Sequence, residues 1–417
     1  MNTGPSLLTA SARTMDIELP AGLTSTENAY PTFFLDIQGL DIEDPAVQKE
    51  VNDALFALLC QCHDAGITGQ GLIKIHIGEP RVITRMRPEY VTSSVRFLRQ
   101  RGAERVVAGD TTVAYTGPRG HRENPLHDAS QYVDQARTHG WSPEGPAGVP
   151  FVVLDRPSTG TPAIYAFGAE SEEVEVSGIN RFTDFFLAGG FAAADFVVNH
   201  AHLTLHGLAG VAGCVKSLAM GCSALKGKLR MHQSLHPCFD PEACERCGLC
   251  EENCPEGAIA LAEGALCPEV DSELCIGCGE CEAVCVQGAI TLVGEDITDW
   301  GRGEATLPTR MADYVLGIMN GRWNRVINVL HMYTVTERCD CVNRRQKPMT
   351  QRDLGFLVGK NPFAVDLIAG RMLRAALEEE GRPFEEQLLR TAEISAAYVG
   401  ETYGILSDTP LEAVSLR

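Results

Sequence analysis

No stretch of this 417-residue chain approaches the roughly 18 consecutive apolar residues that a membrane-spanning helix needs. The first thirty residues lack a basic start followed by an apolar run, so no secretory leader is expected and a cytoplasmic location follows. Aromatic residues are scarce, at 6%, while hydrophobic residues make up 44%, the composition of an ordinary soluble globular protein. Positive charge is also in short supply. Lys and Arg number 35 against 55 Asp and Glu, giving a net charge of −20, and this disfavours nucleic acid or an anionic membrane as partner. A Gly-x-Gly-x-x-Gly fingerprint is missing after the first apolar run, so no NAD(P)H site is expected. A phosphate loop of the form G-x4-G-K-[ST] is missing too.

Cysteine is what the chain has in quantity, with 16 residues. Its length and the clustering of those cysteines argue against a disulfide scaffold. Cys244, Cys247, Cys250 and Cys254, followed by Pro255, form one C-x2-C-x2-C-x3-C run, and Cys275, Cys278, Cys281 and Cys285 form a second. This is the spacing with which two-cluster bacterial ferredoxins hold 4Fe–4S cubes, three thiolates from one run and the fourth from the other. Cys244, Cys247, Cys250 and Cys285 are therefore expected to hold one cluster, and Cys275, Cys278, Cys281 and Cys254 the second. Between Asp240 and Glu295 there are thirteen acidic residues against one basic residue, Arg246. That density reads either as solubility or as a docking face for a basic redox partner.

Around this segment, apolar strand-like runs alternate with amphipathic runs. Thr32–Ile37, Leu72–Ile77, Arg105–Ala108, Phe151–Leu154, Phe196–Asn199 and Val326–Leu330 read as strands. Residues 47–64, 88–100, 126–139, 308–319, 364–380 and 385–399 read as helices. The expected fold class is α/β, a largely parallel sheet with helices on both faces, interrupted by an inserted α+β ferredoxin domain. The domains read as a flexible arm over 1–31, the first part of the α/β domain over 32–237, the insert over 238–294, and the second part over 295–417.

Ligands in open α/β sheets bind at the carboxyl ends of strands. Lys74 and His76, Asp110-Thr111-Thr112, and Asn199-His200-Ala201-His202 all read as strand-end clusters. Residues Asn199 to His236 hold five histidines, including His200 and His206, followed by glycines and Lys216. That glycine-rich run into a helix suits either an anion held by backbone N–H groups or tight helix packing. Cys339-Asp340-Cys341 is too short to complete a metal shell alone, but could do so with Cys222, Cys214 or a histidine of the central stretch. The alternative is a pair of buried thiols. Cys60 and Cys62 fall on an amphipathic helix and read as core.

These elements together resemble the "domain of unknown function 362" iron–sulfur centre proteins, in the variant with an inserted two-cluster ferredoxin, from about Thr32 to Leu373. Lys74-x-His76-x-Gly78-Glu79, Asp110-Thr111, Gly207 to Gly221 with Lys216 and Met220-Gly221, Gly227-Lys228 with His232, Cys339-Asp340-Cys341, and Asp353-Leu354-Gly355 with Pro362 and Asp366 carry the resemblance in order. Ser217-Leu218, Asn361 and Val286 depart from it. It implies the fold and the clusters and leaves the reaction open. The expectation for function is an iron–sulfur oxidoreductase. Its insert, supplied by an external ferredoxin or flavodoxin, would deliver electrons to a small, perhaps anionic, substrate. Lys74, His76, Asp110, His200, His206 and Lys216 are the expected catalytic residues, and Cys222, Cys339 and Cys341 a candidate third metal or cluster site. The alternatives are a dedicated electron carrier and a non-redox iron-dependent dehydratase or isomerase.

Overall fold

The fold is described from a computed structural model over residues 13–113, 119–120, 129–155, 171–206, 209–232, 236–254, 257–272, 274–275, 281, 285–293 and 307–416. A large sheet organises it. Its strands run across in the order Leu411–Ser415, Thr32–Asp36, Gly355–Gly359, Val326–Thr336, Phe196–His206, Gln70–Lys74, Arg105–Asp110 and Phe151–Val153, with Gly210–Ala212 folded back on Phe196–His206. Most neighbours are parallel. Gly355–Gly359 runs antiparallel to both of its neighbours, and Gly210–Ala212 is antiparallel to its partner.

Side-chain alternation along these strands builds core on both faces of the sheet, in three clusters. Ile73, Val106, Ala108, Val198 and Ile327 face a layer that contains Val51, Leu55 and Leu58 of helix Pro45–Cys62 and Phe97 of helix Thr92–Gln100. Leu72, Val107 and Val197 face the other way, toward Val215, Leu218, Met311 and Val315. Leu203, Leu330 and Leu357 meet Val365, Ala369 and Leu373 of helix Pro362–Glu379. Because both faces are covered, the strands read as nearly continuous apolar runs. Helix Pro45–Cys62 begins where Asp44 accepts a hydrogen bond from Ala46 N at 2.8 Å and Pro45 supplies a preset first turn. Cys60 and Cys62 pack against its core, as their spacing suggests.

Several boundaries differ from the sequence reading. The arm expected over 1–31 is tied down from Arg13 onward: Arg13–Asp16 pairs with Ser171–Ser177, and Leu23 is fully buried. The strand expected to end at Asn199 continues to His206, so His200 and His202 lie within it. Its apolar alternation is broken by polar residues that hydrogen-bond inside the fold, which is why periodicity ends the strand too early. The helix expected from 126 is observed over Ser130–Thr138 and stops at Gly140, whose φ is +90°; its expected first residues lie outside the described ones. Val326–Thr336 lies parallel beside Phe196–His206, so the two halves of the chain complete one sheet.

Between those halves, His236–Phe239 pairs antiparallel with Ile290–Val293, and Ile259–Ala260 with Glu269–Val270. Cys250, Ile259, Cys281 and Ile290 form a small separate core, with Cys254 and Cys285 against it. Among the described residues, no helix is long and apolar enough to cross a membrane.

The last long helix, Glu386–Tyr403, is fixed by a polar knot. The fully buried Asp313 accepts from Tyr398 at 2.7 Å, Tyr403 at 2.6 Å and Arg181 at 3.1 Å. Asp313→Ala leaves a half-buried guanidinium and two phenols without their acceptor. We expect a loss of about 3 kcal/mol in urea denaturation; a loss under about 0.5 kcal/mol would show that water replaces the carboxylate freely.

Candidate functional site

The carboxyl ends of the central parallel strands converge on one cavity of about 100 Å³. Lys74 ends strand Gln70–Lys74, His76 follows it, and Asp110 ends the next strand. The loop Cys339-Asp340-Cys341 follows strand Val326–Thr336, and Lys216 reaches in from the short helix Cys214–Ala219. All of these line the cavity, joined by Arg119, His202 and Lys228.

Asp110 is the hub. Lys74 Nζ donates to its Oδ1 at 3.0 Å, and Arg119 Nη2 to its Oδ2 at 3.3 Å. Thr111 N and Ile77 N also donate to it, at 2.9 and 3.3 Å. Burial alone would raise the Asp110 carboxyl, but the Lys74 and Arg119 charges outweigh that and hold it well below the usual carboxylate range. Arg119 is almost fully buried and also binds Glu79 Oε1 at 2.8 Å and Tyr132 Oη at 3.1 Å. Lys74 donates a second hydrogen bond to the Ile75 carbonyl.

His76 Nδ1 lies 3.3 Å from Asp110 Oδ2, and its Nε2 lies 3.6 Å from Cys341 Sγ. Burial and Arg119 push its pKa down; Cys341 and Asp110 prevail and raise it. The sulfurs of Cys339 and Cys341 are 2.7 Å apart, and Lys216 Nζ sits 3.3 Å from the first and 3.9 Å from the second. The hydrogen bond from Cys339 holds the Cys341 thiol well below its ordinary range, against burial. That same bond, with burial, pushes Cys339 well above it. Burial alone would depress Lys216, but the sulfurs raise it, so it remains an ammonium. His202 donates from Nδ1 to Asp340 Oδ2 at 2.8 Å and from Nε2 to the Tyr333 carbonyl at 2.8 Å, and burial's downward push on its pKa is overcome by that carboxylate.

Lys74, His76, Asp110, Lys216, Cys339 and Cys341 are thus brought together as the sequence suggests. His200 and His206 are not among the lining residues. His200 is fully buried between Ser94 Oγ and His331 Nε2, each at 2.7 Å. Burial lowers both His200 and His206 to about 3, so neither is poised to give up a proton. Cys222 lies in the apolar core beside Ala188 and Leu218, its thiol pushed up to about 12 by burial, and Cys214 is buried in another core cluster. The histidine that does meet the thiols is His76.

The anion expected at the start of helix Cys214–Ala219 finds its donors taken. Asp366 accepts from Cys214 N at 2.6 Å and Val215 N at 2.9 Å. A Cβ on Gly213 would come within 2.3 Å of that carboxylate, so the glycine serves close packing. Gly207 lies outside the described residues. Arg119, His202 and Asp340 were not singled out as site residues. Asp340 and His202 sat inside motifs read for their neighbours, and Arg119 lies in a loop where no periodicity marks it.

A second cavity is lined by Cys244, Cys247 and Cys250 from the first cysteine run and Cys285 from the second. Ala258 N donates to Cys254 Sγ at 3.2 Å, and Ala289 N to Cys285 Sγ at 3.3 Å. Cys275 and Cys281 are described; Cys278 lies outside the described residues.

The buried histidine pair carries a pH signature. His200 has a folded pKa of about 3, whereas an unfolded imidazole titrates near 6.5. The unfolded chain therefore binds more protons below about pH 6.5, and stability present above that value is lost as pH falls. His200→Gln should make the fall in urea-unfolding free energy between roughly pH 7 and 5 shallower, by at most about 1.4 kcal/mol per pH unit. An unchanged slope would assign that proton uptake elsewhere.

No curated protein matches the chain. Among solved structures, the lactate racemase apoprotein from Thermoanaerobacterium thermosaccharolyticum shares 12% sequence identity over 75% of this chain, with a TM-score of 0.31. The chain spans about half of that protein's length, 52%. Residues 72–371 match the family described as Domain of unknown function (DUF362). That match covers well over half of the sequence, from the strand that carries Lys74 to the helix that carries Asp366, and the chain belongs to the DUF362 family.

Proposed function

We propose that this protein is a cytoplasmic iron–sulfur oxidoreductase. The segment 238–294 is a two-cluster ferredoxin insert, and electrons pass from it to a small anionic molecule bound in the cavity around Lys74, His76 and Lys216. The cavity formed by Cys244, Cys247, Cys250 and Cys285 carries this reading, because it joins three thiols of one run to the fourth thiol of the other, as the spacing demands. Cys275, Cys278, Cys281 and Cys254 would hold the second cluster. Backbone N–H donors on Cys254 and Cys285 are the kind of outer contact that orients a ligand sulfur. When bound, the clusters supply electrons one at a time.

The chain's own residues do the rest. Lys74, Lys216, Lys228 and Arg119 line the substrate cavity with Asp110, Asp340 and the Cys341 sulfur; Asp110 and Glu79 pair with Lys74 and Arg119, and Asp155 lies 3.8 Å from Lys228, so Lys216, set against the sulfurs, is the cation most open to a ligand. Those cations would neutralise charge that develops on a reduced substrate. His76 and His202 face the cavity with raised pKa and are the groups suited to donate protons, in place of His200 and His206. An external ferredoxin or flavodoxin is the electron source, and the acidic surface between Asp240 and Glu295 suits a basic face on such a donor. A dedicated carrier would have no use for a cationic cavity in the larger sheet.

Protein purified without oxygen should contain about eight irons and as many acid-labile sulfides per chain, from the formula of two 4Fe–4S clusters. Cys285→Ser should disturb the cluster shared with Cys244, Cys247 and Cys250, lowering the iron count and changing the electron paramagnetic resonance of the reduced protein. Lys216→Met should leave both unchanged. Zinc in place of iron, or no sulfide, would contradict the reading.

A further inference from the structure

Cys339 and Cys341 lie far from the two cysteine runs in sequence and outside the ligand sets assigned to them. Their sulfurs and His76 Nε2 all fall within 4.8 Å of one another, the grouping of three metal donors found among the described residues. We propose that His76, Cys339 and Cys341 bind a single divalent metal ion of the zinc class, with its remaining coordination position open to the cavity. The inference shares the cavity of the reading above and does not require the clusters; with the ion bound, His76 is a ligand and the proton donor of that reading is His202.

The donor set suits such an ion. Two thiolates and one imidazole, with a fourth position left to solvent or a ligand, make a three-ligand site of the catalytic type. With metal–sulfur and metal–nitrogen bonds of about 2.3 and 2.0 Å, a tetrahedral site separates nitrogen from sulfur by about 3.6 Å and sulfur from sulfur by about 3.8 Å. The His76 Nε2 to Cys341 Sγ distance is already 3.6 Å. The sulfur pair, now 2.7 Å apart, would open by about 1 Å on binding. Cys339 is buried and Cys341 half-buried, so the ion would be bound inside the cavity.

The surroundings support the same assignment. His76 Nδ1 faces Asp110 Oδ2 at 3.3 Å, the carboxylate–histidine arrangement that fixes a ligand ring and leaves the other nitrogen's lone pair for the metal. Arg119 Nη2, which can only donate, stands 3.1 Å from His76 Nδ1 and 3.3 Å from Asp110 Oδ2; metal binding at Nε2 puts the ring proton on Nδ1 and turns that nitrogen from Arg119 to Asp110. Lys216 lies against both sulfurs and offsets the charge of two thiolates before an ion arrives. Between the two cysteines, the buried Asp340 lines the cavity, and its Oδ1 has no hydrogen-bond partner among the described residues. An unpartnered carboxylate oxygen there is costly unless a cation or a donor comes within reach.

Cobalt(II) is the probe. Full-length protein purified without oxygen, stripped with a mild chelator and loaded with cobalt, should retain about one cobalt per chain with a sulfur-to-cobalt charge-transfer band, as expected for a Cys2His site. The double variant Cys339→Ser/Cys341→Ser should lose both the band and the retained cobalt, and His76→Gln should lose most of the retained cobalt. Asp110→Asn should weaken cobalt binding by about 10- to 100-fold, the effect of removing a carboxylate behind a ligand histidine. In every variant the iron and sulfide counts should match the parent's, because the eight run cysteines are intact, and a cooperative urea transition like the parent's shows that the large sheet still folds. Iron-free parent protein that still gives the band would refute the cluster reading alone. The metal site is overturned by a parent without the band, by a band that survives the double serine change, or by a Cys339–Cys341 disulfide whose reduction restores two titratable thiols but no cobalt uptake.

Discussion

Asp110 accepts hydrogen bonds from Lys74, Arg119, Thr111 N and Ile77 N while facing His76, all at a point only 2% exposed to solvent. An isolated carboxylate at that depth would be expelled or protonated. Ringed by two cations, it stays charged and binds together chain segments far apart in sequence. Arg119 in turn reaches Glu79 and Tyr132, and Glu79 N donates to the carbonyl of Asp340 at 2.9 Å. The loop that carries the two cysteines is therefore attached to the same buried ion network as the strand ends. Breaking one partner would leave uncompensated charge behind, so the network acts as a unit.

The arrangement separates charge within one molecule. The chain carries a net charge of −20, with its densest acid between Asp240 and Glu295, yet the cavity at the sheet's carboxyl end is lined by four cations. Low-dielectric walls strengthen such a field and favour entry of anions. Lys216 is the cation least committed to carboxylates, since its partners are the sulfurs of Cys339 and Cys341.

Much of this could be read from the sequence, and the part that could not has physical reasons. Strand ends were legible because apolar runs stop where polar residues gather, so Lys74, His76 and Asp110 stood out before their meeting was visible. Cys339 and Cys341 were expected beside Cys222, Cys214 or a histidine of the central stretch; His76 stands there instead, brought to the sulfurs by strand order alone. His200 illustrates the opposite error. Its neighbours looked like a strand-end cluster, but the strand continues, and the ring serves a buried chain from Ser94 to His331 and on to Tyr333. Gly213 reads from sequence equally as anion loop or close packing, and Asp366, more than a hundred residues later, decides for packing by occupying the same N–H groups. Long-range pairing of this kind leaves no periodic trace.

The central claim, that the cysteine runs hold clusters which serve the cationic cavity, is tested most directly by anomalous diffraction at the iron edge from crystals grown without oxygen. The account predicts iron density within the cavity of Cys244, Cys247, Cys250 and Cys285 and a second centre at the remaining run cysteines. Absence of iron at the first of these, or a signal at the zinc edge only, would contradict it.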